Sequence, residues 1–559
     1  MKNLDLKWIV PLALLVYVLA TVSGLFVPLI VNAAKYAQIS REILESGDWI
    51  NLHIAGDAYD QKPPLLFWLG AVAYKLFGIS AIAYKLSVIL VSFTSIFATF
   101  KLGEILYGKK TGWLAALFLA TTLGFLHFHN DIHTDTLLAD FVILATWQLV
   151  VFFEQKKNLN FILGLVFIGL AMLIKGPVGL AIPAFAVGAH LVLKRKFNEI
   201  FHLRWLIAFP IVGIIILPAL WGLLNQFGMK GIIFYFWTNN AGRITGSYQG
   251  HAGDPFFPIH TSAYMLLPWT IFAFIGLVMQ IREKIICRKN SGANNEYYTL
   301  GGILVFLLIL TASKTQMPHY LLSVLPFFAI LASRWAFLIF ENPEKARVAR
   351  VVGYGNLFLA VVFLLIIPLF GFWFYPEKRT AVWLIVGTGF AAGIFSVVKL
   401  KGLQKNVSFL LLTIGLVLFY TNVSVLPNMA TYHSPLKAAQ IFNNEAEPGQ
   451  RLHMFLPQSR YWSLIYYSKA PGYYIPDASD FQKRKVPVGD WVYTDNVGVE
   501  QLRKMQVSYD LKKIFIHRSI TSQSIKFLCP ATRTQRLQKR YLVQLKKMLI
   551  KKKQIRQGS

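Results

Sequence analysis

Apolar residues run almost unbroken for about twenty positions at a time through the first three quarters of the chain, with short polar stretches between the runs. A run of that length crosses a bilayer core as a helix. The pattern predicts about thirteen spans, near 8–31, 81–101, 112–128, 136–153, 159–174, 177–193, 204–223, 263–281, 297–312, 319–339, 350–373, 380–398 and 406–426. The first follows a basic start, "MKNLDLK", like that of a signal peptide. Its apolar stretch is too long for a signal h-region and reads as an uncleaved span. After it, "NAAKYAQISREILESGDW" places Ala33, Tyr36, Ala37, Ile39, Ile43 and Leu44 roughly on one helical face, which predicts an amphipathic helix lying in the interface. The run "LLFWLGAVAYKLFG" at 65–78 is too short to span and predicts a second interfacial helix.

The polar stretches alternate in character. Those reading "KLGEILYGKK", "EQKKN", "KRKFNEIFHLR", "REKIICRKN", "ENPEKARVAR" and "KLKGLQK" together hold about nineteen Lys/Arg, which assigns them, and the N-terminus, to the cytoplasm. The exterior then receives 32–80, the turns "HNDIHTD" (129–135) and "KGP" (175–177), the loop 224–262, "SKTQMPH" (313–319) and the region 428–559. All the unusual polar sequence falls on this one side. A transporter or flippase, the competing reading from another class, would gather polar groups mid-span on broken helices.

Composition supports the membrane class and narrows the partners. The 559 residues are 55% hydrophobic and 15% charged, with mean hydropathy +0.50. Soluble chains carry about a quarter charged residues. The net charge of +30 lies in short loops and the terminal region, which favours anionic lipid over nucleic acid. The sequence divides into a membrane domain, 1–427, and a basic domain, 428–559, with about 23 Lys/Arg against eight Asp/Glu. In the latter, "GDWVYTD" and "KKIFIH" read as strands, and "VGVEQLRKMQ" and "RTQRLQKRYLVQLKKMLIKKK" as helices, so a small exterior α/β domain is expected. Cys287 and Cys529 fall on opposite sides of the membrane, and no disulfide is expected between them.

The exterior side collects the cations Lys62, Lys175, Arg243 and Lys314, the carboxylates Asp57, Asp60, Asp131 and Asp135, and His133, His251 and His319. A cation can stabilise charge developing on a phosphate leaving group, and a carboxylate can deprotonate an acceptor hydroxyl. Each also has a plain structural reading. Lys62 can snorkel, although Pro63 and Pro64 stiffen its backbone. Asp131 and Asp135, four apart, can share a helical face or simply cap the helix. Lys175 can be a boundary charge at a tight turn. Arg243, in the glycine-flanked "FWTNNAGRITG", suits phosphate geometry.

The segments "YDQKPPLLFWLGAVAYKLFG", "HNDIHTDTLL", "LIKGPVGL", "FWTNNAGRITG" with "FFPIHTSAYMLLPW", and "SKTQMPHYLLSVLP", in this order over about 30–430, resemble the GT-C glycosyltransferases. The nearest branch is that of the bacterial aminoarabinose lipid A transferases, with the protein O-mannosyltransferases more distant. The tail "FLCPATRTQRLQKRYLV" resembles the end of that branch's periplasmic domain. The resemblance implies a multi-pass inner-membrane enzyme with a periplasmic site and a periplasmic C-terminal domain. Its donor would be an undecaprenyl-phosphate sugar, passed with inversion to lipid A, another envelope glycan or a protein. It implies Lys62 and Arg243, with Lys175, for the donor phosphate, and Asp135 as an active-site acid, with Asp131 and Asp60 as further catalytic candidates. Tyr59, Tyr320, Lys314 and His319 would line the pocket, with Asn32 and Gln61. The family carries acids where this chain has Asn32 and Gln61, which weakens the expectation of a divalent metal ion that some relatives place there.

Overall fold

The computed structural model describes residues 5–247, 253–286, 296–456, 459–518 and 525–546. Cys287 and His251 lie outside them. Among the described residues a helix stands at each expected span. Nine helices are long and apolar enough to cross a membrane, and the pair Lys109–Ala120 and Leu123–Asn130, bent by 50°, makes a tenth candidate. The shorter Val178–Leu193, Thr270–Ile286 and Tyr298–Ala312 fill the remaining places.

Burial ranks these helices. Thr134–Gln155 and Pro318–Phe340 are each 89% buried over their most apolar window, whereas Phe197–Phe227 and Thr380–Lys399 are 17% buried. The first pair forms the centre of the bundle, and the second pair presents apolar residues outward, as lipid-facing helices do. Central helices can carry polar groups at their ends because protein, not lipid, surrounds them.

Several boundaries differ from expectation. The first span stops at Leu25, and a new helix, Val31–Ser46, starts after a bend. The third expected span is the bent pair above. The expected span at 263–281 divides into Phe257–Met265 and Thr270–Ile286. Helices stand where the two interfacial ones are expected, Val31–Ser46 and Leu65–Phe77. They pack closely because Gly70 faces Ser40, where an added Cβ would come within 2.4 Å of the hydroxyl. Between them lies a small hairpin, β1 (His53–Ile54) and β2 (Asp57–Ala58).

Beyond the last span, the chain forms β3 (Leu452–Phe455), β4 (Pro471–Ile475), β5 (Trp491–Thr494), β6 (Tyr509–Arg518) and β7 (Leu537–Leu545). Their order is β4-β3-β5-β7-β6. The first three are parallel, and β7 runs antiparallel to both β5 and β6. The helix expected from "RTQRLQKRYLVQLKK" is therefore wrong: β7 occupies 537–545. Its Lys, Gln and Leu residues favour helix locally, but a place between two strands and burial of Leu542, Val543 and Leu545 override that preference. The expected helix at "VGVEQLRKMQ" is present as Asn496–Lys504.

This sheet region grips the stretch that follows the first span. Arg484 bonds Asp57 at 2.7 Å, and Arg41 donates to the carbonyls of Tyr466 (3.3 Å) and Ser468 (2.8 Å). At the junction with the membrane helices, His433 bonds Ser463 (2.7 Å) and His517 bonds Ser434 (3.0 Å), both imidazoles being buried. Burial lowers His433 to about 4, and burial with the nearby His433 and Arg540 charges lowers His517 to about 2. Both are neutral in the folded state, whereas an unfolded histidine titrates near 6.5. Below that pH the unfolded chain binds protons that the fold refuses. Stability of the sheet region should therefore fall as pH drops from 6.5 towards 4, by about 1.4 kcal/mol per pH unit for each histidine. Amide exchange of β3–β7, corrected for intrinsic rates, checks this; a His433→Asn/His517→Asn chain should show a flatter slope.

Candidate active site

Five segments far apart in sequence meet at one end of the bundle. The first is 59–64. Tyr59, Pro63 and Pro64 are buried, and Pro64 caps the helix Leu65–Phe77. Gln61 is held at both ends: its carbonyl accepts from Asn239 Nδ2 (2.9 Å) and its Oε1 from Lys35 Nζ (2.8 Å). With its neighbours anchored, Lys62 has little freedom. It has no hydrogen-bond or ion-pair partner among the described residues. Burial, and then the charges of Lys175 and Arg243, push its pKa well below that of an ordinary lysine, and Asp135 offsets this only in part.

The second segment is the "HNDIHTD" turn. His133 is the N-cap of Thr134–Gln155 and exchanges capping bonds with Thr136. Asp135 falls in the first turn, where the helix dipole favours a carboxylate. The third is the end of Asn158–Lys175, where the dipole favours the lysine cation. Gly176, at φ 82°, turns the chain into the next helix through a conformation open to glycine. Lys175 Nζ bonds Asp135 Oδ1 and stands 4.1 Å from the centre of the Tyr320 ring.

The fourth segment is the short helix Ala241–Thr245. Arg243 donates through Nε to Asn239 Oδ1 (2.9 Å) and through Nη1 to Tyr320 Oη (3.1 Å). The fifth is the "SKTQMPHY" loop, which docks on that helix: the Thr315 N–H donates to the Arg243 carbonyl at 3.1 Å. His319 Nε2 lies 3.7 Å from Asp135 Oδ2, and its ring stacks on His133 at 4.4 Å.

The result is a cavity of about 300 Å³ with two unlike ends. Asp135, Lys175, Arg243 and Tyr320 form the polar end, and Leu138, Ile182, Phe185, Phe306, Ile309 and Leu310 form an apolar wall. Such a space accepts an anionic head carried on a hydrocarbon tail.

The expected residues distribute unevenly. Lys62, Lys175, Arg243, Asp135, His319 and Tyr320 come together, with Gln61 beside them. Asp60 is half-buried, near Lys35; burial raises its pKa and Lys35 partly offsets the rise. Asp131 and Asp135 do not share a helical face, because Asp131 precedes the helix. Asp131 instead faces His133 (3.6 Å) and His127 (4.0 Å) and lines a separate small pocket with Lys85. Lys314 is exposed and contributes its backbone N–H to the Ile244 carbonyl (3.2 Å). Asp57 is taken by Arg484. Asn32 is half-buried in the first turn of Val31–Ser46.

Two participants escape the sequence reading. Lys35 lies off the apolar face expected for this helix, yet it bonds Gln61 and stands 5.0 Å over the Tyr59 ring. Its position three residues after Asn32, on the same helical face, was the available signal. Tyr36, assigned to the apolar face, lies beside Asp135, Arg243 and Tyr320.

Among the described residues no group of three or more His, Cys, Asp or Glu could hold a metal ion. Gln61 Oε1 is already occupied by the Lys35 cation, so the residues at 32 and 61 do not fit a bound metal.

The protein is similar in structure to a crystal structure of ArnT from Cupriavidus metallidurans bound to undecaprenyl phosphate, with a TM-score of 0.74 at 16% identity, covering 96% of this chain and 98% of that one. The chain has the GT-C fold. An archaeal oligosaccharyltransferase, AglB from Archaeoglobus fulgidus, matches at a TM-score of 0.50 and 12% identity, covering 88% of this chain and 70% of that one. The family described as dolichyl-phosphate-mannose-protein mannosyltransferase matches residues 61–221. That stretch of the GT-C fold contains Lys62, Asp135 and Lys175. An undecaprenyl phosphate-alpha-4-amino-4-deoxy-L-arabinose arabinosyl transferase of Pseudomonas savastanoi is 26% identical over 347 residues, covering 61% of this chain and 62% of the relative. One of the same name from Yersinia enterocolitica is 25% identical, covering 61% of each chain. The chain thus spans about six tenths of the length of these curated relatives.

An anion entering beside Lys62 would favour its charged form. Binding of a lipid phosphate should therefore take up protons at alkaline pH and weaken as pH rises through the titration of the free site. Calorimetry in buffers of different ionisation heat measures the uptake. Lys62→Arg, which stays charged, should abolish it.

Proposed function

We propose that the chain is an inverting glycosyltransferase of the inner membrane. It takes a sugar from undecaprenyl, or another polyprenyl, phosphate and passes it to lipid A or another envelope acceptor at the periplasmic face. The observation that carries this reading is the two-ended cavity, with cations at the polar end and an apolar wall behind. The similarity to a structure bound to undecaprenyl phosphate supports the donor. The one-sided basic sequence supports the orientation, with the N-terminus cytoplasmic and the region 428–559 periplasmic.

In this reading the acceptor oxygen attacks the anomeric carbon from the face opposite the phosphate. The bond from that carbon to the phosphate oxygen breaks, and the electron pair leaves with the phosphate. Lys62, Arg243 and Lys175 stabilise the departing charge in a site that needs no reorganisation to do so. Asp135 cannot easily serve as base, because its oxygens face Lys175 and His319. Asp60 forms no ion pair among the described residues, and its raised pKa makes it a better proton acceptor. It takes the acceptor proton in place of the acids absent at 32 and 61. Lys35, at Gln61, holds the loop that carries Asp60 and Lys62.

The second reading, transfer to a protein hydroxyl, is favoured by the mannosyltransferase family match over 61–221. Intact-lipid mass spectrometry of lipid A and polyprenyl phosphates from a deletion strain separates the two. Loss of a sugar-sized mass from lipid A, restored by wild type and not by Lys62→Ala, supports the lipid acceptor. Unchanged lipid A with accumulated donor supports the protein or glycan acceptor. Unchanged lipid A and unchanged donor would overturn the transferase reading. On purified enzyme, Lys62→Ala should lower kcat by roughly 10²- to 10³-fold. Asp60→Asn should lower it by roughly 10²- to 10⁴-fold while leaving donor binding intact.

A further inference from the structure

Lys85 lies inside the span Ala81–Tyr107 and is 1% exposed. A lysine so placed in a membrane helix needs a specific use. Its Nζ donates to the carbonyls of Gly24 and Val27, each at 2.7 Å. These carbonyls sit where the first span ends and the bend to Val31–Ser46 begins; that of Gly24 also accepts from the Val27 N–H at 3.2 Å, so Lys85 adds to the bend's own hydrogen bonding. On the other side of the bend, the Leu29 N–H donates to Tyr467 Oη at 2.8 Å. Tyr467 closes the short helix Trp462–Tyr467 of the sheet region. The bend is thus held from within the membrane bundle and from the outer region at once.

The bend also stores strain. Val31, the first residue of the helix after it, has φ 47°. A β-branched side chain rarely adopts that conformation, and it persists only where the surroundings impose it. The next turn delivers Lys35 and Tyr36 to the active site, with Lys35 bonding Gln61 and Tyr36 beside Asp135 and Arg243. Relaxation of Val31 would rotate this turn away from the cluster.

We infer that Lys85 and Tyr467 are positioning residues for the active site: together they hold the strained bend at 26–31 that aims the first turn of Val31–Ser46 into the phosphate-binding cluster. This rests on the transferase reading above. Neither residue touches the cavity, so each acts through backbone geometry.

The test uses the full-length chain in lipid nanodiscs, with Tyr467→Phe, Lys85→Met and Lys85→Arg. Tyr467→Phe removes a single hydroxyl and keeps the ring packing, so it stands if Lys85→Met fails to fold. Tyr467→Phe and Lys85→Met should speed amide exchange over 26–36 by about tenfold or more. They should lower kcat by about tenfold or more, with KM for the polyprenyl-phosphate sugar within about twofold. Lys85→Arg, which keeps a buried cationic donor, should retain most of kcat. Unchanged exchange in Tyr467→Phe, or faster exchange with unchanged kcat, would overturn the inference. If wild type transfers no sugar to any acceptor, the function reading falls, and exchange with undecaprenyl phosphate binding still decides this one. Faster exchange with binding retained supports it, and wild-type exchange overturns it.

Discussion

Like charges confined at the depth of a membrane interface repel one another, and the arrangement of this chain follows from keeping four of them together. Lys35, Lys62, Lys175 and Arg243 share one neighbourhood in which Asp60 and Asp135 are the nearby carboxylates. The fold does not cancel the excess. It places neutral partners against the cations: the Gln61 amide under Lys35, the Tyr320 ring under Lys175, and the Asn239 amide and Tyr320 hydroxyl on Arg243. Such contacts fix a cation in position while leaving its charge available. Lys175 meets a carboxylate directly, that of Asp135. The remaining positive charge is a standing demand for an anion, and the apolar wall behind it specifies what that anion is attached to.

The demand accounts for the placement of the helices. Asp135 and His319 lie at the ends of the two most buried helices, where protein shields them from lipid. Lys62 comes on a loop whose prolines and doubly held glutamine leave it little choice of direction. The region beyond the last span meets the stretch between the first two spans through Arg484, Arg41 and Tyr467. The outer sheet is thereby part of the structure that holds the membrane-embedded site.

Much of this was legible in the sequence, and the failures have physical causes. Hydrophobic runs gave the helices because a bilayer imposes their length. The basic loops marked one side. The cations and Asp135 stood out because charge beside a span is costly without a use. Boundaries were missed where a span breaks, as at Leu25 and between Ala120 and Leu123, since apolar composition continues across both breaks. Spacing alone paired Asp131 with Asp135, but a cap intervened: His133 begins the helix between them. Lys35 looked like a solvated charge because an amphipathic helix also carries cations on its polar face. Strand β7 looked helical because its place in the sheet depends on neighbours remote in sequence.

The position of β7 has a consequence for assembly. Among the described residues it is the last strand in sequence, yet it lies between β5 and β6, which do not pair with each other. Until residues 537–545 arrive, both strands keep an open edge, and the sheet cannot close as the chain is made. By the proposed topology, the helix bundle would already be inserted while this region is still crossing the membrane. Until β7 is in place, the open edges of β5 and β6 could pair with other chains, a hazard that closing the sheet removes.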